Sequence, residues 1–190
     1  DEILIGFVGR LTEIKNIPLL LEAFARLATE SPKTRLIIAG DGHLRGELEN
    51  LAAELGINGR VTILGNRADI AAVYSGLDIV ALTSLNEGTP LSLIEAMAAG
   101  RPVISTFVGG VRDLLGPLMA DENLFQIYER GIGVRSGDAA GIAAGLRYLM
   151  ENTDVRNSIA ARGREYVHKN YSKNRLIDDI KNLYREIDNE

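Results

Sequence analysis

The sequence predicts an α/β protein built on a doubly wound parallel sheet of about six strands, with helices at the C-terminal end. Three observations carry that expectation. Short apolar runs at 3–8, 35–39, 61–64 and 78–82 alternate with helix-length segments along most of the chain. The runs are continuous, which marks strands covered on both faces. Glycines and charged residues then collect just after them, at Gly9-Arg10, Gly40-Asp41-Gly42, Gly65-Asn66-Arg67, Thr83-Ser84 with Glu87, and Gly109-Gly110. Strands alternating with helices imply right-handed crossovers, and such sheets bind ligands at the carboxyl ends of their strands.

Each element has its own justification. Ile3, Leu4, Ile5, Phe7 and Val8 form the first strand, and Asn16 with Pro18 opens a helix in which Ile17, Leu20, Leu21, Phe24 and Leu27 recur at helical spacing. The second strand turns at Gly40-Asp41-Gly42 into a helix that runs through Leu55 and stops at Gly56. The third turns over 65–68 into a short helix to Ser75, for which Asp69 is a candidate cap. The fourth leads through a polar loop into a helix that Thr89 caps, with Pro90 at its first position and Gly100 and Pro102 ending it. A fifth strand starts at Val103. From 112 to 130 the residues predict a short helix, a loop containing Gly116-Pro117 and a second helical piece. Gly131-Ile132-Gly133-Val134 is the sixth strand, Asp138 caps a helix to Met150, and helices over 154–169 and 172–190 follow. The stripe Leu176, Ile180, Leu183, Tyr184 and Ile187 predicts that the last helix packs on the domain; its charges are mixed in sign, unlike a membrane-surface helix.

The 190 residues fit one domain, 1–190, with a substantial core, and 46% hydrophobic residues without low-complexity runs read as globular. No stretch approaches 18 uninterrupted apolar residues and Asp1-Glu2 offers no basic leader, so the expectation is a cytoplasmic protein without membrane contact. A net charge of -5 argues against nucleic acid as a partner. With no cysteine, two histidines and no close carboxylate cluster, neither disulfides nor a metal site are expected. His43 reads as an exposed residue at a helix start and His168 as structural.

The chemistry concentrates at the helix after the fourth strand. Leu91, Leu93, Ile94, Ala96, Met97, Ala98 and Ala99 leave only Ser92 and Glu95 polar, so the helix is expected to be buried nearly all round. A carboxylate there is costly unless something hydrogen-bonds it. Because helical side chains lean toward the N-terminus, Glu95 reaches toward the mouth where Glu87 and the free amides of Leu91 and Ser92 sit. A helix N-terminus favours phosphate, and carboxylates accept protons from paired hydroxyls. Phosphate between two polyols describes a nucleotide-sugar. The alternative pairs Glu95 with Lys15 or Arg101 and leaves Glu87 a solvated loop charge. Arg10 and Lys15 project over the cleft as candidate cations, and Gly40 and Gly42 let the backbone approach a ligand closely.

Glu87-Gly88 followed by Glu95-Ala96-Met97-Ala98-Ala99-Gly100 and Pro102-Val103 resembles the Glu-x7-Glu motif of the retaining glycosyltransferases of family 4. The resemblance covers nearly the whole chain as the Rossmann-like, donor-binding C-terminal half of the GT-B fold. It implies that Gly9-Arg10-Leu11 and Lys15 hold the donor diphosphate, that Glu95 binds the ribose diol, and that Glu87 faces the transferred sugar in a same-face mechanism. Arg67 matches a residue lining the base pocket, usually through its backbone. The implied donor is a UDP-sugar, with GDP- or ADP-sugars as alternatives, and Arg10 and Lys15 take the place of a cation; no further cofactor is implied. Two departures stand out. Gly88-Thr89-Pro90 replaces the family's Gly-Phe-Gly, which shifts amide contacts to Leu91 and Ser92, and the connection over 113–131 is longer than usual.

Other readings make weaker use of these residues. The run from Gly40 to Gly46 is one residue too long for a dinucleotide fingerprint, and a receiver domain would need acidic residues where Gly9-Arg10 stands. A GT-B nucleotide-sugar epimerase shares fold and donor chemistry. In the family the acceptor pocket and a catalytic histidine lie in an N-terminal domain outside this chain, so the chain by itself is expected to bind nucleotide without turnover. A non-catalytic nucleotide-binding module is the corresponding alternative.

Overall fold

β1 (Ile3–Val8) leads into a single turn of 3-10 helix over Glu13–Lys15 and then α1 (Ile17–Glu30), whose Leu20, Leu21, Phe24 and Leu27 are fully buried. β2 (Thr34–Ala39), α2 (Arg45–Glu54), β3 (Val61–Gly65), α3 (Ile70–Gly76) and β4 (Ile79–Leu82) follow, then α4 (Leu91–Ala98) and β5 (Val103–Thr106). Beyond them come α5 (Val111–Leu115), β6 (Leu118–Glu122), β7 (Phe125–Tyr128), β8 (Gly131–Val134), α6 (Ala139–Glu151), α7 (Thr153–Asn170) and α8 (Lys173–Ile187). The structure, a computed structural model, describes residues 2–187 apart from the Glu186 side chain; the last three residues of the helix expected to reach 190 lie outside the described residues. Among the described residues no helix is long and apolar enough to cross a membrane.

The strands form one sheet in the order β3-β2-β1-β4-β5-β8-β7-β6. The first six in that order are parallel. Every residue of β4, β5 and β8 is buried, Ser105 and Thr106 included, as in strands covered on both faces. α1 packs against α6, and α4 against α7. The chain winds outward from β1 to β3 and then returns to the other side of β1 as β4. That reversal opens a crevice at the carboxyl ends of β1 and β4. Thr83 closes its floor: from the end of β4 its hydroxyl lies 3.1 Å from the Lys15 carbonyl and 3.0 Å from that of Asn16.

Two expectations are corrected. The sheet has eight strands rather than six, because the stretch after α5 is a β-hairpin and not a loop with a second helical piece. β7 pairs antiparallel with β8, burying Phe125, Ile127 and Tyr128, and β6 adds an exposed edge. Phe, Ile and Tyr suit a strand, but what makes them one is β8, which lies beyond them in sequence. The second correction concerns α8. Its stripe Leu176, Ile180, Leu183, Tyr184 and Ile187 is exposed rather than packed on the domain. Periodicity announces an apolar face without saying what covers it.

Candidate functional site

A cavity of 570 Å³ opens at the carboxyl ends of β1, β2 and β3. Of the residues singled out by sequence it gathers Gly9, Arg10, Gly40 and Arg67, with Asp41 and Asn66 from the same strand ends. Gly42, Lys15, Glu87, Glu95, Leu91 and Ser92 are not in its lining. Val8, Ala39 and Ile70, which complete the wall, carry no sequence signal beyond their place in apolar runs.

Gly40 sits at φ +147, and a Cβ there would fall 1.8 Å from the Gly9 carbonyl oxygen. At Gly42 a Cβ would fall 2.4 Å from the Leu11 carbonyl oxygen. The close approach that these glycines permit is between the loops following β1 and β2, which fixes the cavity wall. Arg10 stands on that wall, exposed and without a hydrogen-bond or ion-pair partner among the described residues. Arg67 is held in place by a two-point contact with Asp69, at 2.8 and 2.6 Å. This pair holds the Asp69 carboxyl below its usual range and raises the Arg67 guanidinium further. Asp69 heads α3 without a side-chain cap bond, so its carboxylate orients Arg67 instead of capping the helix.

Glu87 is the buried carboxylate of the site, only 9% exposed. It accepts hydrogen bonds from the Lys15 ammonium and the Ser84 hydroxyl, both at 2.6 Å to Oε1. The Thr106 hydroxyl in turn donates to the Ser84 carbonyl at 2.6 Å. Gly109 and Gly110 clamp the loop from outside: a Cβ on either would fall 1.9 Å from the carbonyl oxygen of Glu87 or Gly88. Lys15 therefore pairs with Glu87 and not with Glu95, and Glu87 is no solvated loop charge.

α4 differs from the helix the sequence suggests. Leu93, Ala96 and Met97 are buried, but Leu91 is 66% exposed and Glu95 is exposed as well. One face rather than the whole circumference meets the core, and Ile94, Ala98 and Ala99 are only partly buried. Glu95 pairs with neither Lys15 nor Arg101. Its Oε2 accepts a 3.0 Å hydrogen bond from the hydroxyl of Tyr74, and Arg101 donates to the Ser75 carbonyl at 2.8 Å. Thr89 does not cap the helix, Pro90 occupies the cap position, and the Leu91 amide is engaged with the Thr89 carbonyl at 2.9 Å. The Ser92 amide keeps no partner among the described residues. Of the two amides expected at this helix end, Ser92 supplies the free one.

The histidines stay outside this chemistry. His43 contacts Glu13 at 2.8 Å on the exposed rim and lowers that carboxyl below its ordinary range, and His168 is exposed on α7. Among the described residues no group of three or more His, Asp and Glu side chains could hold a metal ion.

A doubly wound sheet with basic residues, glycine loops and carboxylates at its switch point defines an α/β domain of the kind that binds ligands across its strand ends. More narrowly, the chain belongs to the glycosyl transferases group 1 family, whose profile matches residues 1–166. It has the fold of the C-terminal half of GT-B glycosyltransferases. It is 31% identical to an uncharacterized glycosyltransferase of Methanocaldococcus jannaschii over 97% of this chain and 45% of that protein. Its fold is similar to that of Anabaena HepE, crystallised in complex with UDP, at a TM-score of 0.84, 24% identity, and coverage of 97% of this chain and 49% of that one. It is also similar to the C-terminal domain of LpcC, a glycosyl transferase group 1 family protein from Francisella tularensis, at a TM-score of 0.77 and 26% identity, covering 90% of this chain and 87% of that domain. The chain spans about half the length of the curated relatives it matches.

Proposed function

We propose that this chain is the donor-binding half of a retaining glycosyltransferase, transferring a hexose from a nucleotide diphosphate sugar to an acceptor in glycan, glycolipid or polysaccharide synthesis. The observation that carries the reading is the guanidinium of Arg10, exposed on the wall of the 570 Å³ cavity and without a partner among the described residues. The base enters the cavity near Arg67, the diphosphate meets Arg10, Lys15 and the Ser92 amide, and the ribose diol donates to Glu95. Glu87 faces the transferred sugar. The complexes of HepE with UDP and with UDP-glucose support UDP as the nucleotide. Residues 1–190 form one donor-binding domain in this reading, the acceptor pocket lies in an N-terminal domain of the same cytoplasmic protein, and the chain alone binds nucleotide without transferring sugar.

Replacing Glu95 by alanine is expected to lower UDP affinity by about 1.5 kcal/mol, at the low end for hydrogen bonds to a charged group because the carboxylate is exposed. Calorimetric titration of both proteins with UDP decides it, and equal affinities would remove the ribose from Glu95. Incubating the wild-type chain with UDP-glucose and sugar acceptors tests the second half of the reading; robust transfer would show that no further domain is needed.

A further inference from the structure

Tyr74 is a buried ionisable side chain to which the reading above gives no role. It is 2% exposed, near the end of α3, one helical turn beyond the cavity residue Ile70. Its hydroxyl faces two acceptors on α4, Glu95 Oε2 and the Ser92 carbonyl oxygen, each at 3.0 Å. Ser92 and Glu95 are neighbours across one turn of that helix, so a single phenol ties the first turn of α4 and its carboxylate to the helix that walls the cavity. Burial, and then the nearby Glu95 charge, push the phenol well above its ordinary range, so it stays a donor at every physiological pH.

From this geometry we propose that Tyr74 is a positioning residue for nucleotide recognition: it fixes the rotamer of Glu95 so that Oε1 remains free and aimed for a ribose diol. The proposal rests on the ribose assignment made above for Glu95. An exposed glutamate at a helix surface otherwise samples several rotamers, and ordering it on binding costs affinity. A phenol held rigidly by the core removes that cost before the ligand arrives. The effect is directed at the diol, because Tyr74 is buried and offers the ligand no atom, and its second partner is the Ser92 carbonyl rather than the Ser92 amide.

The test compares UDP with its 2′,3′-dideoxy analogue on the 190-residue chain, by calorimetry, for the wild type, Tyr74→Phe, Glu95→Ala and the double variant. Phenylalanine keeps the ring that fills the core, and a thermal melt reports the cost of the lost hydroxyl separately. The wild type is expected to prefer UDP, and Tyr74→Phe to reduce that preference about fivefold. Affinity for the dideoxy nucleotide stays unchanged, and adding Tyr74→Phe to Glu95→Ala has no further effect. Equal losses for both nucleotides, no loss for either, or additive effects in the double variant would each overturn the positioning role. A wild type that does not distinguish the two nucleotides would overturn the ribose assignment itself and this role with it.

Discussion

Replacing Arg10 by alanine is expected to weaken UDP binding by about 2 to 3 kcal/mol, roughly 30- to 150-fold, while uridine binding changes by less than about 1 kcal/mol. Arg10 stands exposed on the cavity wall with no partner among the described residues, so it reaches a ligand without first breaking a bond within the protein. A guanidinium matches a phosphate with two parallel donors, and such charged contacts are about twice as strong as neutral ones. Lys15 starts from the opposite condition, since its ammonium already holds Glu87. The diphosphate contact is therefore expected to fall mainly on Arg10. Parallel titrations with UDP, UMP and uridine separate the contributions, and a uniform loss across all three would move Arg10 from the diphosphate to the base or ribose.

The largest effect on folding is expected from Lys15→Met, a loss of about 3 kcal/mol that lowers Tm by about 6 to 12 °C. The pair joins the turn before α1 to the loop after β4, 72 residues away. With side-chain exposures of 22% for Lys15 and 8% for Glu87, removing the cation leaves a carboxylate in the interior with, among the described residues, the Ser84 hydroxyl as its remaining side-chain partner. Partial exposure of the lysine places the cost at the low end for a broken buried pair. Adding Glu87→Gln removes the stranded charge, so the double variant is expected to recover more than half of the loss. Thermal and urea unfolding of the two variants measure this. A double variant less stable than Lys15→Met would mean that Glu87 is held by its hydroxyl contact and not by the charge of Lys15.

Much of this protein was legible in the sequence because the governing signals are local. Continuous apolar runs placed four of the six parallel strands, Gly100 and the Asp138 cap bond to Gly141 ended and began their helices as expected, and the strand ends collected residues that line the cavity. The spacing of Glu87 and Glu95 marked α4 as the centre of the chemistry, yet it exchanged their environments. Glu95 lies in an apolar-looking helix and is exposed, whereas Glu87 lies in a polar loop and is buried. Burial of a side chain depends on which elements cover it, and the partners of these two carboxylates, Lys15 for Glu87 and Tyr74 for Glu95, come from elements distant in the chain.

The remaining gaps have the same origin. The 118–128 hairpin needs β8 as a template, and α8 shows an apolar stripe whose cover no periodicity can name. The sequence by itself determined the strand–helix alternation, the sheet and the end of the sheet at which charged residues gather, since propensity, patterning and turn chemistry act over a few residues. Only the tertiary structure decided the partner of each charge: that Lys15 closes on Glu87, that Arg67 closes on Asp69, and that Arg10 is left open toward the cavity. Ion pairs and hydrogen bonds form over about 3 Å, a distance that the fold sets and the order of residues does not.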